Sequence, residues 1–276
     1  MSKRAAFIYL SLIFALLALV AGWYIASFLN READSLSFDG SRAYADVQAQ
    51  VAFGARTPGS AGHAQVRAWM RTELESAGWT VEIHETERMG QPIFNVIAKR
   101  SDAPPEIILG AHYDTRFFAD NAPAPSLRDQ PVPGANDGAS GVAVLLELAR
   151  TLPEDTVPVW LVFFDAEDNG RTEGWDWILG SRAFVEEIDV APRAVVIVDM
   201  IGDADLNIHL ERISDPNLRA CIWQTAAKLG FGNVLLLIDF DYPYWHTTQD
   251  TVDKVSPESL HAVGDTLWHW VREQTP

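Results

Sequence analysis

The chain has 276 residues, 48% of them hydrophobic, with 38 acidic side chains against 21 basic ones and a formal net charge of −17. A polyphosphate partner needs a basic patch, so this balance excludes nucleic acid as the expected ligand and leaves peptides and cations as better ones. Cys221 is the only cysteine, which excludes an intrachain disulfide and leaves the fold to its core.

Residues 1–4 carry Lys3 and Arg4 and precede Ala5 to Leu29, a run broken only by Ser11, Gly22 and Ser27. As a helix it spans about 37 Å, enough for a hydrocarbon layer of about 30 Å, whereas a signal peptide's apolar region covers roughly 7 to 15 residues. No small-x-small cleavage site follows. The expectation is an uncleaved single-pass transmembrane helix over 5–29 with a cytoplasmic stub over 1–4. By the positive-inside rule the remainder then lies on the outer side of the membrane. Residues 30–40 read as a polar tether and 41–276 as one catalytic domain, an ordinary size for a single α/β core.

Within that domain, Ser41 to Phe53 has helical spacing, RTPGSAG (56–62) is a turn-rich loop, and His63 to Ala77 is helical until Gly78 stops it. Thr80 to Arg88 and Ile93 to Arg100 alternate like a hairpin around Gly90. Strands are then expected at Ile107–Ala111, Val157–Phe164, Ala194–Asp199 and Val234–Phe240. Helices are expected at Gly138–Thr151, Leu179–Ile188, Pro216–Leu229 and Pro257–Arg272. Alternation of this kind predicts an α/β fold: a mixed, mostly parallel sheet with helices on both faces and right-handed crossovers. Pro123 to Pro133 alone reads as a long irregular loop.

Five segments end apolar runs in acids or histidine: AHYDT (111–115), GANDGASG (134–141), FFDAED (163–168), VDMIGD (198–203) and YWHTTQDT (244–251). The carboxyl ends of parallel strands face one crevice, so these segments can converge on an ion. Each has a plain alternative. Asp137 is placed to cap a helix, Glu167 and Asp168 to sit in a solvated loop, and His112 to be a satisfied core histidine. Asp199 interrupts the apolar AVVIVDMIG, where a buried carboxylate needs a metal, a base or a donor. Asp114 is within reach of His112 and can orient its imidazole. His246 follows an aromatic stretch, and Trp175, Trp177, Tyr244 and Trp245 are candidates to line a pocket. His63, His84, His209, His261 and His269 read as surface or packing residues. Together the acids and imidazoles suit zinc ahead of manganese or cobalt, and hydrolytic or acyl-transfer chemistry at a carbonyl.

RTPGSAGH, AHYDT, GANDGASGVAVLLELA, FFDAEDNG, VDMIGD and WHTTQDT resemble, in order, the motifs of the zinc aminopeptidases and of the animal-type glutaminyl-peptide cyclotransferases that share their fold. The resemblance implies that Asp137, Asp168 and His246 hold one zinc with Glu167 as acid/base. In the two-zinc aminopeptidases it adds His112 and Asp199 around a second ion bridged by Asp137. In the cyclotransferases the Asp199 position serves a proton and hydrogen-bond network. Trp245-His246, and the long stretch from Asp168 to GSRAF (180–184), resemble the cyclotransferase form, which acts on N-terminal glutamine and releases ammonia. The implied partners are peptides or proteins with free N-termini. Relatives carry an extra strand and loop where Phe231 to Asn233 here join helix to strand directly, so a non-catalytic binding domain is a third reading.

Overall fold

A computed structural model describes residue 20 and residues 37–206, 214–231, 238–239 and 241–274. The chain divides into two compact units, Met1–Ser37 and Phe38–Pro276. Ala5 to Leu29 lies, Val20 apart, outside the described residues. Among the described residues no helix is long and apolar enough to cross a membrane.

The second unit opens with α1 (Gly40–Ala52) and α2 (Ala61–Ser76), whose first turns are capped by the side chains of Asp39 and Ser60. A hairpin follows, β1 (Thr80–Arg88) and β2 (Gln91–Lys99), in a register pairing Thr80 with Lys99 and Arg88 with Gln91. Then come β3 (Ile107–His112), α3 (Ala139–Thr151), β4 (Val159–Phe164), α4 (Leu179–Glu187), β5 (Ala194–Ile197), α5 (Pro216–Lys228) and α6 (Pro257–Glu273). The strand order is β1-β2-β4-β3-β5, with β1-β2 and β2-β4 antiparallel and β4-β3 and β3-β5 parallel. The sheet is therefore mixed, its parallel half carrying the acid-bearing loops. Most of the expected strand Val234–Phe240 lies outside the described residues. Ile238 forms a parallel bridge to Asp199, as a strand beyond β5 would.

From β3 the chain crosses to β4 on one side, and from β4 it returns to β5 on the other. β3 is thus the switch point at whose carboxyl end a crevice forms. The helices cover both faces unequally. Val47 of α1, Met70 of α2, Leu145 of α3 and Leu267 of α6 join one large core with Leu109 and Phe163, all fully buried. On the other face Phe184 of α4 packs on Ile97, Ile108, Val162 and Phe164.

Two glycines set how closely the elements approach the crevice. Gly138 precedes α3 at φ 98°, where a Cβ would lie 2.9 Å from the Asp114 carbonyl oxygen and 3.3 Å from the His112 ring. Gly180 in α4 packs against the end of β4, and a Cβ there would meet the Asp165 carbonyl oxygen at 2.1 Å.

Candidate metal centre and acid/base site

The three parallel strands deliver their carboxyl ends together: β3 ends on His112, the loop after β4 carries Glu167 and Asp168, and Asp199 follows β5. Asp137 enters from the turn before α3. It is no helix cap, because Gly138 takes the cap position without a side-chain hydrogen bond. His246 arrives from the loop before α6. Two ligand triads result, Asp137–Asp168–His246 and His112–Asp137–Asp199, with the ligand atoms of each within 4.8 Å of one another. Asp137 belongs to both. His246 Nε2 lies 2.9 Å from Asp168 Oδ1 and 3.9 Å from Asp137 Oδ2. His112 Nε2 lies 3.0 Å from Asp137 Oδ1 and 3.2 Å from Asp199 Oδ1.

The donor set fits a divalent cation on an independent ground. Asp137 Oδ2 is buried with no hydrogen-bond partner, an orphaned acceptor that costs about 1–3 kcal/mol unless something positive meets it. Asp168 is pressed the same way, since burial and then the charge of Asp137 push its carboxyl well above the ordinary range. Burial drives His246 down to about 4, leaving the neutral imidazole that a metal requires. For His112 burial also opposes the charge, but Asp199, Asp114 and Asp137 outweigh it and hold the imidazole well above its ordinary value.

Glu167 sits beside the triads with a different set of partners. Ser181 donates to it twice, from its N–H to Oε1 at 2.7 Å and from its hydroxyl to Oε2 at 2.8 Å. Burial pushes its pKa up to about 8, against those two hydrogen bonds. A carboxyl titrating near neutrality is suited to both accepting and giving a proton.

Asp114 does more than face His112, whose Nδ1 is 3.4 Å away and outside hydrogen-bond geometry. Fully buried, it accepts from Glu167 N (3.0 Å), Asp168 N (3.3 Å) and Asn169 Nδ2 (3.1 Å), fixing the acid pair by its backbone. The expected aromatic lining divides. Trp177 and Trp245 line a cavity of about 360 Å³ together with His112, Asp137, Glu167 and Asp199, and Trp177 stacks on His246 with ring centroids 5.9 Å apart. Trp175 packs on Phe117 and the Ile93–Ala166–Leu179 cluster, and Tyr244 on Tyr242 and Lys254. Neither lines the cavity, because each is taken up by these packing partners instead.

Several supporting residues escaped the sequence reading. Asp120 places Oδ1 3.4 Å from His246 Nδ1 and accepts from Nε and Nη2 of the buried Arg116 guanidinium, at 2.9 and 2.7 Å. Asp250, within the YWHTTQDT motif, accepts from the backbone N–H groups of Asn136 and Asp137 and from the Tyr242 hydroxyl, and so sets the Asp137 turn. Arg56 of RTPGSAG is wholly buried and donates to the carbonyls of Tyr113, Pro133 and Gly134. Its charge is balanced through space by Asp250, Asp114 and Asp137. His63 is no passive packing residue, for its Nε2 lies 2.7 Å from Asp165 Oδ1 and its ring stacks on Tyr113. His84 pairs with Glu187 and Asn95, as a packing role allows. His209 lies outside the described residues.

An α/β sheet with two carboxylate–imidazole triads sharing one aspartate at its switch point has the fold of the zinc exopeptidases. The chain belongs to peptidase family M28, whose profile matches residues 95–234. It superposes on glutaminyl cyclase of Porphyromonas gingivalis with TM-score 0.80 at 30% identity, covering 86% of this chain and 99% of that one. A Zn-dependent exopeptidase from Parabacteroides distasonis gives TM-score 0.80 at 27% identity with the same coverage. By sequence the chain is 33% identical to the mouse glutaminyl-peptide cyclotransferase-like protein over 175 residues, 53% of this chain and 44% of that protein. Aminopeptidase YwaD of Bacillus subtilis is 25% identical over 226 residues, again 44% of its length. The chain thus spans less than half of these two curated relatives.

Proposed function

We propose that the domain is a zinc-dependent glutaminyl-peptide cyclotransferase, closing the N-terminal glutamine of peptides to pyroglutamate. The observation that carries this is the cavity lined by Glu167, Asp137 and Asp168 together with the indoles of Trp177 and Trp245, with His246 Nε2 2.9 Å from Asp168 Oδ1. Asp137, Asp168 and His246 would hold the zinc. Bound there, it supplies Lewis acidity toward the carbonyl oxygen of the glutamine side chain. Trp177 and Trp245 confine the side chain so that its carboxamide carbon meets the peptide's own α-amine. Glu167 takes a proton from that amine as the new C–N bond forms. It returns the proton to the side-chain nitrogen as the old C–N bond breaks and ammonia leaves. His112 and Asp199, hydrogen-bonded with Nε2 to Oδ1 at 3.2 Å, line the same cavity. The similarity to solved glutaminyl cyclases supports the same reading.

The second reading is a two-zinc aminopeptidase, favoured by the His112–Asp137–Asp199 triad. Here Glu167 deprotonates a water that attacks the first peptide bond, and Asp199 becomes a ligand. Ammonia release from a glutamine-initiated peptide, assayed against amine release from an aminoacyl amide, separates the two. Ammonia alone is expected, and amine alone would replace the first reading by the second.

We also propose that Ala5 to Leu29 anchors the chain as a single-pass helix with the domain outside. Its apolarity over 25 residues and the preceding Lys3 and Arg4 support this. Retention in the membrane fraction after alkaline extraction, with domain accessible to protease from outside, is the expected result.

A further inference from the structure

The start of α4 lacks an ordinary cap. Ile178 occupies the cap position in the left-handed region, φ 53° and ψ 41°, and its side chain cannot accept a hydrogen bond. A helix leaves its first N–H groups without internal partners, so they must be met from elsewhere. Leu179 N–H donates to the Ala166 carbonyl at 3.1 Å, and Ser181 N–H donates to Glu167 Oε1 at 2.7 Å. The Glu167 side chain therefore stands where the cap residue's own oxygen would, on the third N–H of the helix. Ile178 N–H closes the loop onto the Glu167 carbonyl at 2.9 Å. Side chain and backbone of Glu167 are both tied to one helical turn.

The Ser181 hydroxyl adds something a backbone N–H cannot. It lies 2.8 Å from Glu167 Oε2 and 3.3 Å from the Ile178 carbonyl oxygen. A hydroxyl has one proton to give and lone pairs to receive. With a carboxylate beside it, the hydroxyl donates to Oε2. Once Glu167 carries a proton on Oε2, the hydroxyl can rotate its own proton to the Ile178 carbonyl and accept from the acid. No heavy atom need move in the exchange.

We propose that Ser181, on the first turn of α4, is the positioning residue that holds Glu167 toward the cavity both before and after it takes the substrate's proton. The inference rests on the acid/base role given to Glu167 above and adds a residue outside the ligand set.

The test uses the full chain loaded with zinc, with Ser181→Ala, Ser181→Thr and Glu167→Gln compared on a glutamine-initiated peptide. Ser181→Ala is expected to lower kcat roughly 10- to 100-fold with KM within about twofold and zinc content unchanged. Ser181→Thr, which keeps the hydroxyl, is expected to recover most of the loss. Infrared difference spectra supply a readout that needs no turnover. The carboxyl band missing from Glu167→Gln should be displaced in Ser181→Ala and restored in Ser181→Thr. Should Ser181→Ala misfold, Ser181→Cys keeps the volume, weakens the donor and carries the same expectations. Wild-type kcat in Ser181→Ala beside an inactive Glu167→Gln would overturn the inference and leave the site reading standing. A threonine variant no better than alanine, or parallel loss of zinc, would overturn it too. An active Glu167→Gln would instead remove the acid/base reading. The clamp is then judged by the infrared band, and an unmoved band in Ser181→Ala refutes it.

Discussion

Glu167 is held between opposing demands: burial favours its neutral form, the two Ser181 donors its charged one, and the outcome is a group near neutrality. Glu167→Gln removes the exchangeable proton but keeps the shape. Turnover should fall about 10²- to 10⁴-fold while zinc analysis returns the wild-type content. Asp137 is different in kind, because it belongs to both triads and its Oδ2 has no hydrogen-bond partner among the described residues. Asp137→Ala should abolish zinc retention on gel filtration, whereas Asp199→Asn should leave one zinc per chain bound. A wild-type content of two zinc ions that falls to one in Asp199→Asn would favour the two-ion reading. Asp120 acts at one remove, through His246, and carboxylates in that position orient the imidazole and raise its basicity. Asp120→Asn should weaken zinc about 10- to 100-fold in a competition titration.

At the scale of elements, α4 matters most, since it carries Ser181 and is fixed to the sheet from both ends. Its C-terminal end is held by Glu187, which accepts from His84 at 2.9 Å and Thr86 at 2.9 Å and pairs with Arg88 at 2.6 Å. These partners bring the Glu187 carboxyl down to about 2 from 4.5. A depressed carboxyl contributes stability above its unfolded value, and that contribution is lost as pH falls from about 4.5 toward about 2. The thermal midpoint of wild type should exceed that of Glu187→Gln at pH 7, and the gap should close across that window. At the other end, Gly180 lets α4 touch β4. Gly180→Ala should cost roughly 1–3 kcal/mol in chemical denaturation, because the Asp165 carbonyl beside it cannot move aside.

These elements were legible in the sequence to within a few residues. Leu179 to Ile188 is found as Leu179–Glu187 and Pro257 to Arg272 as Pro257–Glu273, because glycine, proline and apolar spacing are local signals. The convergence of the candidate ligands was legible as well, since the carboxyl ends of parallel strands face one crevice. What supports them was not. Asp165, 102 residues from His63, gives that histidine its partner, and nothing around either residue announces the pair. Trp175 and Trp177 are two apart in one loop, yet only Trp177 faces the cavity. Which way a loop side chain turns is decided by packing, not by its neighbours in sequence. Ser181 lay inside GSRAF in plain view, and its task shows only once Glu167 is seen to cap its helix.

For the whole domain, the candidate metal site joins segments from β3, β4, β5, the turn before α3 and the loop before α6, so an ion bound there would tie together elements far apart in sequence. A ligand that binds only the folded state stabilises it by mass action. Chelation should lower the thermal midpoint, and stoichiometric zinc should restore it. The central claim is that these residues close a ring rather than cut a chain, and one mass spectrum tests it: the zinc-loaded protein incubated with a glutamine-initiated peptide. The account predicts a product of undiminished residue count lighter by one ammonia. A peptide shortened by its first residue, or one left unchanged, would contradict it.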